Sequence, residues 1–192
     1  MYFKKLVGKK CYLSPMNSND AEIYTEWLND LEVTANLTMY NSVITIEAER
    51  DFLTKLSKEH NYSIIAMEAN ELIGACGFME LDHLNQTAEA GIFIGNKNYW
   101  NKGYGTESFR LLLDYGFKAL NLYNVMLRVY SFNEKAIRIY EKLGFKVIGK
   151  RREALRRGNT TYDIIYMDIV REEFYGKNEP ERQHDMLLCK HV

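Results

Sequence analysis

A short glycine-containing turn at residues 101–107 carries the residues best suited to hold a ligand. It joins a strand-like run ending at Ile94 to an amphipathic helix that begins near Tyr104. Two glycines at the start of a helix let the backbone approach a bound group, and the first helical N–H groups have no acceptor inside the helix. A helix N-terminus also has a partial positive charge, which favours an anion. The turn therefore predicts a phosphate or pyrophosphate site.

The best-known phosphate loops do not fit this turn. A Walker loop has Lys and Ser or Thr directly after its last glycine, whereas Thr106 and Glu107 follow here. A dinucleotide-binding loop has three glycines in G-x-G-x-x-G, and this turn has Ser108 in the third glycine position. Ser108 also lacks the turn and the histidine partner of a hydrolase nucleophile. The four histidines are scattered without metal-ligand spacing, so we expect no metal site.

The elements that must position this turn alternate between strands and helices, which predicts an α/β fold. Strands are predicted at residues 11–13, 62–68, 71–81, 89–94, 125–130, 146–149 and 160–170. Helices are predicted at residues 19–31, 45–58, from 104 onward and 133–143. We expect one domain over residues 1–175 and a polar, poorly ordered tail over residues 176–192.

Composition limits the class of protein. The chain has 192 residues, is 46% hydrophobic and has a net charge of −1, so no global field favours nucleic acid or an anionic membrane. Its three cysteines, Cys11, Cys76 and Cys189, have no metal-ligand spacing and fit a reducing compartment. No run is long enough to span a membrane, and the first residues lack a signal-peptide core. These features predict a cytoplasmic protein.

Several motifs in this order resemble the GNAT superfamily of acyl-CoA N-acetyltransferases. They are the strand at 89–94, the WNKGYG turn at 100–105 and the NEKAIRIYEKLGF helix at 133–145, supported by residues 27–33 and 162–163. The similarity covers residues 10–174 and is closest to the branch with ribosomal-protein alanine and bacterial spermidine N-acetyltransferases. It implies a mixed, twisted sheet of six to seven strands with about four helices. Two central strands would splay apart and leave a V-shaped opening for acetyl-CoA.

The resemblance also implies which residues bind acetyl-CoA. Backbone groups at the end of the strand would bind the pantetheine arm and the acetyl carbonyl, namely those of Phe93, Ile94 and Gly95. N–H groups of the turn would bind the pyrophosphate, namely those of Lys102, Gly103, Tyr104, Gly105 and Thr106. Asn133 is an N-cap by its residue type, and the family adds a cofactor contact. The family turn usually opens with Gln or Arg where this chain has Trp100, so the resemblance gives no side-chain role at that position.

Acetyl transfer to an amine requires a neutral amine, a donor to the developing oxyanion and a proton for the departing thiolate. Tyr140 shares a helical face with Ala136 and Leu143, which indicates a core tyrosine. The resemblance instead implies that Tyr140 is the general acid. Glu89 is the candidate base, and an ordinary solvated glutamate at a strand end is an equal interpretation. Glu80 and Asp82 are weaker candidates.

The acceptor is left open between a small amine (a polyamine, an amino sugar or an antibiotic) and a protein N-terminus. The resemblance implies that the first two helices and their loop at residues 34–42 form its pocket, together with residues 156–162. Acidic residues on the first helices would suit a polyamine, although solvent-facing helix charges are the commoner explanation; they are Glu26, Asp30, Glu32, Glu47 and Glu49. A non-catalytic acyl-CoA-binding module is the alternative function. A homodimer is also expected, because both faces of residues 160–170 are apolar, although helices of the same chain could equally cover them.

Overall fold

A computed structural model describes residues 1–177 as one eight-stranded sheet with helices on both faces. The spatial order of its strands is β1-β2-β3-β4-β5-β6-β8-β7. The strands are β1 (Leu6–Val7), β2 (Cys11–Pro15), β3 (Asn61–Ala66), β4 (Glu71–Asp82), β5 (Thr87–Ile94), β6 (Asn124–Tyr130), β7 (Lys146–Arg157) and β8 (Thr160–Val170). The mixed α/β fold class predicted from the sequence is confirmed.

The helices begin and end at residues that cap them. They are α1 (Ala21–Asn29), α2 (Leu31–Thr34), α3 (Ile46–Leu56), α4 (Tyr104–Lys118), α5 (Glu134–Leu143) and α6 (Arg171–Lys177), with 3₁₀ turns at Ser18–Asp20 and Lys97–Tyr99. The Thr45 hydroxyl accepts a hydrogen bond from the Ala48 N–H at 3.2 Å, as expected for an N-cap. Gly144 ends α5 in the left-handed conformation, with φ of 112°.

The pairing between β5 and β6 creates an opening in the middle of the sheet. These two strands are parallel, whereas the other neighbours are antiparallel. Their register joins Thr87–Glu89 to Asn124–Met126 and ends there. Both strands continue beyond that point, β5 to Ile94 and β6 to Tyr130. The predicted splay between two central strands is therefore present, and Glu89 lies at its base.

Two apolar clusters fix the helices to the sheet. On one face, α4 buries Phe109, Leu112 and Phe117 against Ala88 and Leu127 of the central strands. On the other face, α1 and α3 bury a second set, which includes Tyr12, Tyr24, Leu53 and Ile65. Side chains alternate between the two faces along β5, so Ala88 and Ala90 join the first cluster and Phe93 packs on the second. Helices therefore cover both faces of the sheet.

The predicted helix at residues 19–31 is wrong in its length, because α1 ends at Asn29. Asp30 is extended, with ψ of 114°, and its side chain accepts a hydrogen bond from the Glu32 N–H at 2.8 Å. It therefore caps a new short helix, α2, instead of continuing α1. Ile23 and Leu31, two apolar residues within the predicted span, are 40% and 61% exposed.

The sheet also has one strand more than the six to seven expected, because the two-residue β1 gives no periodic signal. The strand predicted at 146–149 runs on to Arg157. Its residues 150–157 are mostly charged, so they lack the alternation that identifies a strand, and pairing with β8 holds them extended.

Within residues 1–177, no helix is both long and apolar enough to cross a membrane. The predicted tail at 176–192 starts inside α6, and from residue 178 onward it lies outside the described residues.

Candidate functional site

The turn before α4 has the backbone conformation of an anion-binding loop. Gly103 is the N-cap of α4 and has φ of 86°, a left-handed conformation that side chains rarely adopt. Asn101, two residues earlier, is also left-handed, with φ of 62°. The glycine at 103 is thus required by the backbone itself.

The first N–H groups of α4 are unoccupied donors. Glu107 is the first residue whose N–H finds a helical acceptor, the Gly103 carbonyl at 3.1 Å. The N–H groups of Tyr104, Gly105 and Thr106 make no hydrogen bond within residues 1–177. Three adjacent donors at a positive helix end form a site for an anionic oxygen group. This arrangement agrees with the site predicted from the sequence.

Lys10 adds a positive charge that the sequence analysis missed. Its Nζ donates to the Lys102 carbonyl at 2.9 Å and lies 3.6 Å from the point where a Cβ on Gly103 would be. The Glu107 carboxylate holds this part of the chain by accepting the backbone N–H of Lys10 at 2.6 Å and that of Cys11 at 3.2 Å. Because these residues are far apart in the sequence, no local motif could have identified the contact.

The backbone groups of β5 that face the opening belong in part to other residues than the predicted Phe93, Ile94 and Gly95. The Gly95 N–H donates to the Ile73 carbonyl at 2.9 Å, towards β4. Because backbone direction alternates in an antiparallel pair, Phe93 also points its N–H and C=O to β4, whereas Ile92 and Ile94 point theirs to the opening. The backbone roles predicted for Phe93 and Gly95 are therefore wrong, and that of Ile94 fits the geometry.

Packing and hydrogen-bond contacts explain why these three residue types occur at positions 93, 95 and 100. A Cβ on Gly95 would lie 2.1 Å from the Trp27 ring, so only glycine fits there. The Phe93 ring packs edge-on against Trp27, with centroids 6.4 Å apart. Trp100 does have a side-chain role, since its Nε1 donates to the Ile94 carbonyl at 2.8 Å. This bond fixes the turn to the end of β5 and leaves the Ile94 N–H facing the opening.

Tyr140 lies on α5 between two aromatic rings of the helix-covered core. Its ring centroid is 5.4 Å from that of Phe109 and 5.9 Å from that of Phe145. Burial raises the pKa of the Tyr140 hydroxyl to about 12, so it keeps its proton at neutral pH. The hydroxyl makes no hydrogen bond to another residue in the described part of the chain. The packing interpretation is therefore correct for the ring, while the hydroxyl remains available as a donor.

Asn133 and Gly144 fix both ends of the helix that carries Tyr140. Asn133 Oδ1 accepts the Ala136 N–H at 3.2 Å, which confirms the predicted N-cap. This bond uses the carbonyl oxygen and leaves the amide NH₂ as a donor at the helix start. At the other end, the Gly144 N–H donates to the Tyr140 carbonyl at 3.1 Å.

Glu89 is buried, which contradicts the interpretation of a solvated strand-end residue. It is 5% exposed and accepts a hydrogen bond from Arg128 Nε at 2.7 Å on Oε1. The same bond raises the pKa of Arg128 above its usual value. By strand alternation, Glu89 and Phe93 share the sheet face covered by α1 and α3, whereas Tyr140 packs on the opposite face. The two candidate catalytic groups thus lie on opposite sides of the opening.

The weaker base candidate Asp82 has a structural role. Its carboxylate accepts the N–H groups of Leu84 and Asn85 at 2.9 Å each, which closes the turn after β4. The backbone and side-chain hydrogen bonds from Asn85 lower the pKa of Asp82 below its usual range. Asp82 therefore stabilises a turn and is a poor proton acceptor.

Three of the acidic residues expected to favour a polyamine are engaged or buried. Lys97 forms ion pairs with Asp30, at 2.7 Å, and with Glu32. The hydrogen bond from Lys97 lowers the pKa of Asp30. Glu49 is only 4% exposed, and burial raises the pKa of its carboxyl. Glu32 is nonetheless 66% exposed, and Glu26 and Glu47 are exposed as well, so the solvent-facing interpretation holds for these three. Because Lys97 balances part of the negative charge and Glu49 is buried, the charge count from the sequence overstates the attraction of this region for a cation.

Comparisons with known proteins agree with this geometry. The family model described as an acetyltransferase (GNAT) domain matches residues 10–146. The uncharacterized N-acetyltransferase p20 of Bacillus licheniformis is 31% identical over 89% of this chain and 98% of its own. The spermidine N(1)-acetyltransferase of Escherichia coli K12 is 30% identical over 86% and 83% of the two chains. The structure of Vibrio cholerae spermidine N-acetyltransferase with CoA and spermine has a TM-score of 0.77 at 22% identity. The match covers 87% of this chain and 99% of that chain.

Proposed function

This chain belongs to the GNAT family of N-acetyltransferases, and we propose that it transfers the acetyl group of acetyl-CoA to a primary amine by direct attack in a ternary complex. One observation carries the proposal. The opening between β5 and β6 ends beside the three unoccupied N–H donors of Tyr104, Gly105 and Thr106. An extended ligand with an anionic pyrophosphate at one end fits an apolar opening with donors at its end.

We propose that acetyl-CoA is bound mainly by backbone groups. Its pyrophosphate would accept the N–H groups at 103–106, with the Lys10 charge beside them. The Ile92 backbone groups and the Ile94 N–H would pair with the pantetheine amides, as a neighbouring strand would. The Asn133 amide would donate to the same arm. The Vibrio cholerae spermidine N-acetyltransferase, which has the same fold, forms a complex with CoA, and this supports acetyl-CoA as the ligand.

The proposed reaction divides its two proton transfers between the two sides of the opening. The amine nitrogen attacks the acetyl carbonyl carbon, the new C–N bond forms and the C–S bond breaks. Tyr140 would give its proton to the departing sulfur, since its hydroxyl is protonated and makes no hydrogen bond within residues 1–177. Glu89 would take the amine proton, directly or through water. Arg128 occupies Oε1, so the proton would go to Oε2.

The decisive test is an assay of a broad amine panel with acetyl-CoA and detection of free thiol. We expect thiol release that depends on the amine, with no acetylated enzyme intermediate in mass spectra. Tight binding of acetyl-CoA without thiol release on any amine would support the alternative, a non-catalytic acyl-CoA-binding module. Turnover that proceeds through an acetylated side chain would contradict direct attack.

We further propose a homodimer and a cytoplasmic location. Edge strand β7 exposes Val147 and Ile148, at 55% and 57%, and such apolar residues on an open edge favour pairing with another chain. Light scattering at micromolar concentration should give twice the chain mass, and a monomer mass with and without acetyl-CoA would contradict the dimer. The location rests on Cys11 and Cys76, which are free and buried.

A further inference from the structure

Three aromatic rings surround the guanidinium of Arg157, the last residue of β7. Its Cζ lies 4.1 Å from the ring centroid of Tyr40, 5.0 Å from that of Phe132 and 5.7 Å from that of Tyr130. We refer to these four residues as the Arg157 box. Cation–π contacts of this kind hold a guanidinium in a fixed plane and remove water from its faces. The N–H groups at its rim are then the part of Arg157 that can still bind a ligand.

The Arg157 guanidinium has no acid partner in the described part of the chain. Its Nη2 is buried and makes no hydrogen bond, and Arg157 forms no ion pair within residues 1–177. The carboxylate of the adjacent strand, Asp163, is bound to Lys150 at 3.0 Å and to the Glu153 N–H at 2.9 Å. A buried charged N–H without an acceptor is costly, and an acceptor supplied by a ligand would remove that cost.

The Arg157 box lies at the end of β6, beside the opening between β5 and β6. Tyr130 ends β6, the strand that diverges from β5 beyond Met126. Side chains alternate along β6, so Tyr130 and Arg128 share one face, and Arg128 binds Glu89 on that face. Tyr40 and Arg157 come from the two segments, 34–42 and 156–162, that were expected to line the acceptor site. The box therefore lies on the same side of the sheet as the proposed base.

We infer that the Arg157 box binds a carboxylate on the acceptor, which makes the acceptor an amino acid or a related amine that has a carboxylate near the reactive nitrogen. This inference rests on the proposed function. A planar guanidinium presents parallel N–H groups that match the two oxygens of a carboxylate. The apolar walls strengthen that bond by excluding water. The unpaired positive charge of Arg157 also repels a polycation, so the box selects against polyamines.

A binding experiment tests the inference without requiring turnover. The probes are a set of N-acetyl amino acids, the products of such a reaction, and their carboxamides, which have the same size but no charge. Titration calorimetry is carried out with CoA-saturated protein. Because a hydrogen bond to a charged group contributes about 1.5–3 kcal/mol, at least one acid should bind wild type on the order of 10-fold or more tightly than its carboxamide. Equal affinity across all pairs overturns the inference.

Variants identify the residue responsible for the preference. Arg157→Gln should abolish the difference between acid and carboxamide, and Arg157→Lys should restore only part of it, because Lys has the charge without the planar fork. Arg50→Gln removes the same charge from an exposed position on α3 and should keep the full preference. Circular dichroism verifies that each variant is folded. An unchanged preference in folded Arg157→Gln overturns the role of Arg157, and the wild-type comparison still decides the inference if that variant does not fold.

Turnover separates this inference from the proposed function. Wild type should acetylate amino acids with a higher kcat/KM than their carboxamides. Acetylation of many amines without that preference would contradict the carboxylate site and leave the acetyltransferase proposal intact. Selective binding of acids without acetylation of any amine would contradict the proposed function and leave the carboxylate site intact.

Discussion

The anion site at the start of α4 can be tested by adding a side chain to Gly103. We expect Gly103→Val to weaken acetyl-CoA binding severely in a protein that still folds. Gly103 has φ of 86°, and a Cβ there would first meet Lys10 Nζ, at 3.6 Å, so the protein itself leaves room for it. The cost to the fold is therefore conformational strain, about 1–3 kcal/mol. The cost to binding comes from the valine methyl groups, which would keep a phosphate away from the N–H donors.

The size of the binding loss follows from the number of donors affected. Three N–H groups, those of Tyr104, Gly105 and Thr106, are unoccupied, and a hydrogen bond to a charged group contributes about 1.5–3 kcal/mol. Loss of two of them would cost about 3–6 kcal/mol, which is roughly 10²- to 10⁴-fold in Kd. Calorimetry with acetyl-CoA measures this change, and thermal unfolding measures the loss of stability in the same variant.

Two matched variants distinguish the effect of backbone strain from the loss of the anion site at the start of α4. Gly158→Val adds the same side chain to a left-handed glycine, with φ of 59° and no neighbour within 4 Å, so it should lose stability and keep its acetyl-CoA affinity. Gly105→Val has no left-handed strain, and a Cβ there would contact only Ile94, at 3.6 Å, so it should fold well and bind weakly. Unchanged affinity in both folded Gly103→Val and Gly105→Val would refute the anion site.

Three further predictions concern the chemistry and the tyrosines. Tyr140→Phe should lower single-turnover kcat on the order of 10²-fold with little change in acetyl-CoA affinity, and wild-type turnover would leave Tyr140 with a packing role only. Glu89→Gln keeps the size and removes the proton acceptor, so kcat at neutral pH should also fall about 10²-fold; undiminished turnover would leave only the contact with Arg128. Burial raises the pKa of Tyr140 from 10 to about 12. The folded state then holds this proton more tightly, so the contribution to stability is complete below pH 10 and is lost as the pH rises to 12. Denaturant unfolding at pH 9 and pH 11.5 should show lower stability at the higher pH for wild type. Tyr140→Phe should lose less stability than wild type over this interval, because Tyr2, Tyr99 and the other tyrosines with a raised pKa contribute to the loss in both proteins.

Features set by neighbours along the chain were predictable from the sequence. The turn before α4, the cap at Asn133 and the end of α5 at Gly144 each depend on a few adjacent residues, and the structure has all three. The order of strands and helices follows from periodicity, which also acts locally. The helix predicted at residues 19–31 is too long for a local reason as well, because Asp30 is a residue type that favours a helix cap and it caps α2.

The contacts that define the site chemistry depend on residues distant in the sequence. Lys10 reaches Lys102, Trp100 occupies the Ile94 carbonyl and Arg128 binds Glu89, and none of these pairs has a signal in residue type or spacing. The backbone direction of Phe93 could not be read either, because it depends on the register of β4 against β5. Tertiary structure therefore decides which groups of a correctly predicted segment are free to bind a ligand.

The same reasoning applies to the acceptor. The sequence presents acidic helices that suggest a cation, yet Lys97 already pairs with Asp30 and Glu32, so much of that negative charge is balanced within the protein. Arg157 is the opposite case: it is one of several basic residues in the sequence, but in the structure it is held by three rings without an acid partner within residues 1–177. A charge that the protein leaves unpaired has more influence on ligand choice than several charges that it has already paired. Acceptor specificity in this chain should therefore follow Arg157.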